Sequence, residues 1–158
     1  MRTYTPFKLP RGLKARLVQA LNDWTQRHHG EPWNKVDACW RQSLVCELLP
    51  AEEYQQLRDI LVQRLSQATG TPFNPEHFST VLHWGYGEVP PHRDDMAKTC
   101  FLVPLVASPT LTFYVEYQGK VRLRQVPVVR FNDYDRHGID NPFAGRYLLL
   151  TLTRDLIN

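Results

Sequence analysis

Three separated segments of the chain contain the residue types that bind metal ions and anions. His92 and Asp94 are two positions apart, so their side chains project from the same face of an extended strand. His137 lies much further along, at the end of another predicted strand. Two imidazoles and one carboxylate occupy half of an octahedron and leave the other half open to small ligands. Strand ends can meet in a closed β-fold, so the pattern predicts one metal centre.

Arg146 opens the last predicted strand and supplies a cation. If Arg146 faces the interior, Leu148, Leu150 and Leu152 share its face, because side chains alternate along a strand. A guanidinium group in apolar surroundings is costly unless an anion meets it. Its planar fork binds a carboxylate in bidentate fashion. The pattern therefore predicts a dicarboxylate that bridges the metal and Arg146.

Helices are predicted in the first half of the chain and strands in the second. Apolar residues recur at helical spacing over 13–24 and again over 50–69. The segment 38–49 fits either a short strand or a buried helical turn. From about residue 77, β-branched and aromatic residues occur in short runs broken by turn residues. The strands predicted from these runs cover 77–84, 89–94, 99–106, 110–117, 120–125, 127–132 and 146–153.

This order of elements favours one domain with a sandwich or barrel architecture. We expect a mainly helical supporting layer over 1–75 and a β-core that carries the site over 76–158. No glycine-rich phosphate loop follows any predicted strand, which argues against a nucleotide-binding fold.

Composition excludes several classes of function. The 19 Lys and Arg residues against 16 Asp and Glu give a net charge of +3, too weak an excess to indicate nucleic-acid binding. The longest apolar run, Phe101 to Ala107, contains Pro104 and is too short for a membrane span, and we expect no signal peptide. The 3 cysteines have no CxxC spacing, which favours a reduced, cytoplasmic compartment.

The ordered set His92-Arg93-Asp94, His137 and Arg146 resembles the Fe(II)/2-oxoglutarate-dependent oxygenase superfamily. The resemblance covers about residues 77–153, roughly half of the chain. It implies a mainly β fold with supporting helices, a double-stranded β-helix (a jelly-roll, cupin-like barrel) preceded by N-terminal helices.

The resemblance also implies roles for particular residues. His92, Asp94 and His137 would bind iron(II), and Arg146 would bind the distal carboxylate of 2-oxoglutarate. Family members often place a hydroxyl two residues after that arginine, where this chain has Leu148. Tyr86 and Tyr114 are the candidates for the second carboxylate partner.

The reaction implied by the resemblance is hydroxylation. Decarboxylation of 2-oxoglutarate with O₂ would be coupled to oxidation of an amino-acid, peptide or small-metabolite substrate. The nucleic-acid demethylase branch has a second arginine six positions after the first, and Leu152 occupies that position here. Nucleic acid is therefore not favoured as a partner, and no membrane partner is expected.

Alternatives remain at the level of single residues. Asp95 adjoins Asp94, while Asp133 and Asp135 precede His137, and each could replace or support the Asp94 carboxylate. His77 and His83 fit packing or surface positions better than ligand positions. Trp40, Trp84 and Tyr134 could line a substrate pocket, although aromatic residues at these spacings more often belong to a core.

Three other functions compete with the oxygenase. The first is a cupin-like metal-binding protein or isomerase that does not use 2-oxoglutarate. The second is a non-catalytic jelly-roll binding module in which Arg146 binds an acidic ligand. The third is an interaction domain that uses the two helices, and it leaves the ordered metal-binding set unexplained.

Overall fold

The computed structural model describes residues 1–94 and 98–155. The α-helices of this part are α1 (Leu13–His29), α2 (Val45–Leu48) and α3 (Ala51–Thr69). Its strands are β1 (Arg2–Thr3), β2 (Trp40–Leu44), β3 (Phe78–Gly85), β4 (Val89–His92), β5 (Lys98–Val106), β6 (Thr112–Val115), β7 (Gly119–Arg122), β8 (Val129–Asn132), β9 (His137–Asp140) and β10 (Tyr147–Asp155). Short 3-10 helices cover Pro75–His77 and Leu123–Gln125.

The strands form two antiparallel sheets. The larger sheet has six strands in the order β1-β8-β5-β10-β3-β2, and the smaller sheet has four in the order β4-β9-β6-β7. The strand β2 therefore lies at one edge of the larger sheet. Apolar side chains from both sheets meet in one buried cluster, so the sheets pack face to face.

The long helices α1 and α3 form where their sequences place apolar residues on one face. Both end at glycines in the left-handed conformation: Gly30 has φ 74° and Gly70 has φ 73°. Arg16 of α1 donates two hydrogen bonds, of 2.6 and 2.8 Å, to the carboxylate of Glu53 in α3. The helices are thus tied to each other as well as to the sheet.

Alternation along β10 divides the interior into two cores. Leu148, Leu150 and Leu152 pack with the helices in one buried cluster. Tyr147 and Leu149 point the other way, into the cluster between the sheets. The larger sheet is therefore covered by helices on one face and by the smaller sheet on the other.

The predicted strands are present, with shifts of a few residues at their ends. The segment 38–49, predicted to be either a short strand or a helical turn, contains both: strand β2 is followed directly by the helical turn α2. The strands β1 and β9 are additional to the prediction; each is only a few residues long, and β9 contains Gly138, so neither has a recognisable alternating run. None of the helices in the described ranges has the length and apolarity that a membrane span requires.

Candidate metal centre and adjoining cavity

The smaller sheet brings two histidines and an aspartate together. His92 on β4 lies directly opposite His137 on β9 in the antiparallel register, and their ring centroids are 4.5 Å apart. Asp94 follows β4, and its carboxylate oxygens lie 3.8 Å from His92 Nε2 and 3.7 Å from His137 Nε2. One candidate ligand atom from each of the three residues lies within 4.8 Å of the other two.

These atoms suit a first-row metal ion. An ion about 2 Å from each ligand requires ligand atoms within about 4 Å of one another, so a small inward movement completes the site. His92 Nδ1 lies 2.9 Å from the Pro90 carbonyl oxygen, and His137 Nδ1 lies 2.7 Å from that of Asp135. Each Nδ1–H donates to its carbonyl, which leaves both Nε2 lone pairs for the metal.

His137 lies in surroundings that keep its imidazole neutral. Its ring packs against Phe131 at 4.9 Å between centroids, with Phe113 at 6.2 Å. Burial, with the nearby His92 ring, lowers the pKa of His137, and the Asp135 carbonyl oxygen opposes that shift. A neutral imidazole is the form that binds metal.

Asp133 fixes both ends of the segment that carries Asp94. Its carbonyl oxygen accepts a 2.9 Å hydrogen bond from the Asp94 N–H, and its own N–H donates to the Lys98 carbonyl oxygen at 3.0 Å. The carboxylate oxygen Oδ1 also accepts from the Lys98 N–H at 2.8 Å. Burial raises the pKa of Asp133.

The other acidic candidates differ in position. The Asp135 side chain accepts a 2.9 Å hydrogen bond from Gln118, so its contribution to the site is the backbone carbonyl beneath His137. Within the described residues, Asp94 is the carboxylate in the three-residue cluster, while Asp133 supports it through the backbone. Asp95 lies outside the described residues.

A cavity of about 910 Å³ extends from this cluster between the two sheets. Charged groups and histidines from both sheets line it. Glu88, His92, Asp94 and His137 lie on or beside strands of the smaller sheet, and Lys98, Asp133 and His83 lie on or beside strands of the larger sheet. Uncharged residues of the larger sheet line the rest, among them Trp40, Gln42, Leu44, Ser79, Val81, Leu149, Thr151 and Thr153. The metal cluster thus lies among the charged residues that line the cavity.

Arg146 and Tyr86, predicted to bind the cosubstrate, are not among the residues that line this cavity. Arg146 donates a hydrogen bond to the Val36 carbonyl oxygen, and its guanidinium carbon lies 4.7 Å from the centroid of the Tyr86 ring. The Tyr86 hydroxyl donates to the Asp37 carboxylate at 2.7 Å. The structure therefore brings these two residues to each other and to the loop before β2.

The physical reason is the register of β10. Its cavity-facing positions are Leu149, Thr151 and Thr153, and the even-numbered leucines face the helices. The interior position predicted for Arg146 requires the opposite alternation. Tyr114 is also absent from the cavity lining, because on β6 it is the neighbouring Phe113 that faces inward.

Gly138 separates Tyr114 from the metal cluster. A β-carbon at Gly138 would lie 2.4 Å from the Tyr114 hydroxyl oxygen and 2.5 Å from the Val89 carbonyl oxygen. We expect Gly138→Ala to lower the free energy of unfolding by about 1–3 kcal/mol, because a backbone atom cannot yield to the added methyl group. Denaturant unfolding measures the change. Gly145→Ala is the control, because a β-carbon added there would approach only the side chain of Ser108, at 3.3 Å. Equal destabilisation by the two substitutions would contradict the steric explanation.

His83, predicted to occupy a packing or surface position, lines the cavity. It lies on β3 in register with Leu149 of β10, and its Nε2 is 2.8 Å from the Thr151 hydroxyl oxygen. The Trp40 ring lies 5.6 Å from the His83 ring. Its position two residues before the end of β3 carries no sequence signal for the cavity; only the pairing with β10 and β2 places it there. Trp84, by contrast, is buried on the helix side and donates to Ser43 Oγ at 3.1 Å.

The pKa of His83 predicts a pH-dependent stability. Burial, with a smaller effect of His137, lowers this pKa from 6.5 to about 4. Between these values the unfolded chain binds the proton more tightly than the folded chain, so the stability that His83 contributes is present above pH 6.5 and is lost as the pH falls towards 4. At about 1.4 kcal/mol per pKa unit, the loss amounts to roughly 3 kcal/mol.

Urea unfolding of the wild type and His83→Gln at pH 7.5, 6 and 5 measures this effect. We expect the wild type to lose stability more steeply than the variant over this range. Parallel losses would mean that His83 does not account for the dependence.

Comparisons with known proteins identify the fold. No family model matches the sequence, and no curated protein is similar to it. A prolyl-4-hydroxylase from Pseudomonas putida is 16% identical, with a TM-score of 0.53, and the match covers 90% of this chain and 88% of that one.

Two further solved structures match part of the chain. An RmlC-like cupin protein from Desulfovibrio desulfuricans is 15% identical, with a TM-score of 0.41, over 52% of this chain and 76% of that one. The DMSP lyase DddQ from Ruegeria pomeroyi is 18% identical, with a TM-score of 0.43, over 56% of this chain and 44% of that one. The predicted fold class, a double-stranded β-helix with supporting helices, is confirmed.

Proposed function

We propose that this chain is a non-haem iron(II) oxygenase that couples decarboxylation of 2-oxoglutarate to hydroxylation of an amino-acid, peptide or small-metabolite substrate. The observation that carries the proposal is the cluster of His92, Asp94 and His137 among the charged residues that line a cavity. Two imidazoles and one carboxylate on one side of an ion form the facial triad of such enzymes. Iron(II), when bound there, would supply activation of O₂.

The chain's own residues prepare the site for that ion. The carbonyl oxygens of Pro90 and Asp135 hold the two imidazoles with Nε2 directed to Asp94. Asp133 holds the Asp94 backbone in place. The rings of Phe131 and Phe113 lie against the imidazole of His137, at 4.9 and 6.2 Å between centroids, and help to fix its orientation. A fixed set of ligands costs little reorganisation when the metal binds.

Lys98 is the residue that we propose for the distal carboxylate of 2-oxoglutarate. Arg146 does not line the cavity. Among the described residues, Lys98 is the one lysine or arginine side chain in the cavity lining. The hydroxyls of Ser79 and Thr153 line the same cavity and provide uncharged hydrogen-bond donors. A carboxylate between an ammonium group and hydroxyls would receive charge-assisted hydrogen bonds.

The proposal is tested by adding iron(II) and then 2-oxoglutarate to the purified protein without oxygen. A visible charge-transfer band should appear with 2-oxoglutarate and be absent with succinate, which lacks the keto group. Admitting oxygen should then yield succinate. No band and no succinate from protein that holds iron(II) would contradict the proposal.

A second candidate is a metal-dependent enzyme of the same fold that does not use 2-oxoglutarate. The position of Arg146 outside the cavity favours it, because no arginine among the described residues lines the cavity. The same titration separates the two: iron(II) binding that is indifferent to 2-oxoglutarate supports the second candidate.

A further inference from the structure

The cavity wall on strands β2 and β3 has a composition that the metal site does not explain. Trp40 and Gln42 of β2 and His83 of β3 line the cavity beside Thr151 of β10. In the register of the larger sheet Gln42 lies directly opposite His83. None of the charged lining residues in the described part of the chain belongs to β2 or β3. They lie on β4, at the first positions of β5 and β9, and in the loops beside these strands and β8.

His83 has one hydrogen-bonding atom left for a ligand. The Thr151 hydroxyl donates to the Val81 carbonyl oxygen at 3.4 Å, so it accepts from the Nε2–H of His83 at 2.8 Å. In that tautomer Nδ1 carries a lone pair, and no hydrogen bond to Nδ1 occurs within the described residues. The low pKa of His83 keeps this acceptor unprotonated at neutral pH. His83 is half-buried in the cavity wall, so a ligand N–H in the cavity could donate a hydrogen bond to this atom.

Trp40 and Gln42 complete a surface for a planar polar group. Trp40 is 42% exposed, which is unusual for so large an aromatic residue, and its ring inclines at 32° to that of His83. Gln42 is exposed, and its amide offers both a donor and an acceptor. Leu44 and Val81 continue the wall with apolar surface.

We propose that the wall formed by Trp40, Gln42 and His83 binds an uncharged carboxamide of the substrate. The amide N–H would donate to His83 Nδ1, its carbonyl oxygen would accept from the Gln42 side chain, and its plane would rest against the Trp40 ring. A carboxylate or ammonium group there would meet no opposite charge on this wall and could not make both of these hydrogen bonds, because a carboxylate has no N–H and an ammonium group has no acceptor. The inference deepens the proposed function by naming a substrate class.

The inference is tested by titrating the ¹⁵N-labelled full chain with four small probes and monitoring binding by NMR. No metal or 2-oxoglutarate is added. The probes are hexanamide, N-butylacetamide, hexanoate and hexylammonium, which have similar size and differ in charge. We expect both amides to shift the Trp40 indole and His83 imidazole signals and to bind at least about tenfold more tightly than either ion. Preference for hexanamide would indicate a primary amide, and preference for N-butylacetamide the secondary amide of a peptide chain.

Gln42→Glu is the decisive variant, because it changes charge and almost no volume. It should weaken both amides and make hexylammonium the best of the four probes. Gln26→Glu, on the exposed surface of α1, should leave the order unchanged. Ions that bind as tightly as amides, an order unaffected by Gln42→Glu, or the absence of any shift at Trp40 and His83 would overturn the inference. Since no metal is present, these outcomes are independent of whether the chain is an oxygenase.

Discussion

Replacing His137 with alanine should abolish metal binding and every activity that depends on it. The change removes one of three ligands, and the remaining pair, His92 and Asp94, are both substantially exposed to solvent. Loss of a supporting residue in a metal site costs about 10–100-fold in affinity, so loss of a ligand should cost at least about 100-fold. Titration with iron(II) or cobalt(II), followed by absorption or calorimetry, measures the change.

The matched control is His77→Ala. His77 is exposed at the end of a 3-10 helix and lies outside the cavity. The His77→Ala variant should bind metal with the same affinity as the wild type. Circular dichroism should show that both the His77 and the His137 variants are folded. Equal affinities for the His137 variant and the wild type would show that the cluster is not the metal site.

Lys98→Ala should weaken 2-oxoglutarate binding to the iron(II) protein by about 10–100-fold, the usual effect of losing a hydrogen bond to a charged group. Arg146→Ala, which removes a cation from outside the cavity, should leave that affinity within about twofold of the wild type. The charge-transfer band provides the titration signal for both variants.

The pair of variants gives opposite results if the register of β10 differs from the one described. A large loss of 2-oxoglutarate affinity with Arg146→Ala and none with Lys98→Ala would support the carboxylate-binding role that the sequence predicts for Arg146. Because both variants lose one positive charge, a general effect of net charge would weaken both equally.

The sequence predicts the proximity of His92, Asp94 and His137 better than the position of Arg146. The positions of His92 and Asp94 follow from the two-residue period of a strand, which depends on local geometry alone. His137 is brought to them by pairing of β9 with β4, which the order of strands makes reasonable. Which side of β10 faces the cavity depends on the packing of the whole fold. Leu148 and Leu149 are equally apolar, so the alternation of side chains does not show which of the two cores each residue enters.

The wall formed by Trp40, Gln42 and His83, called here the uncharged wall, was not predictable for a similar reason. Trp40 and Gln42 belong to a segment whose periodicity fits strand or helix, and β2 joins the sheet only through its pairing with β3. His83 reads as an ordinary strand residue. Its function as a cavity residue comes from the neighbours on both sides, Gln42 and Leu149, which are far from it in the chain.

The metal cluster and the uncharged wall stand on opposite sheets, and this division has a consequence for selectivity. The spacing between the two surfaces is maintained by the side chains packed between the sheets, among them Phe113 and Phe131. Phe131→Leu should therefore let the sheets approach, so that a different carbon of a bound molecule lies beside His137. Regiochemistry would then depend on the residues that set the distance between the sheets, as well as on the metal ligands and the anchoring group.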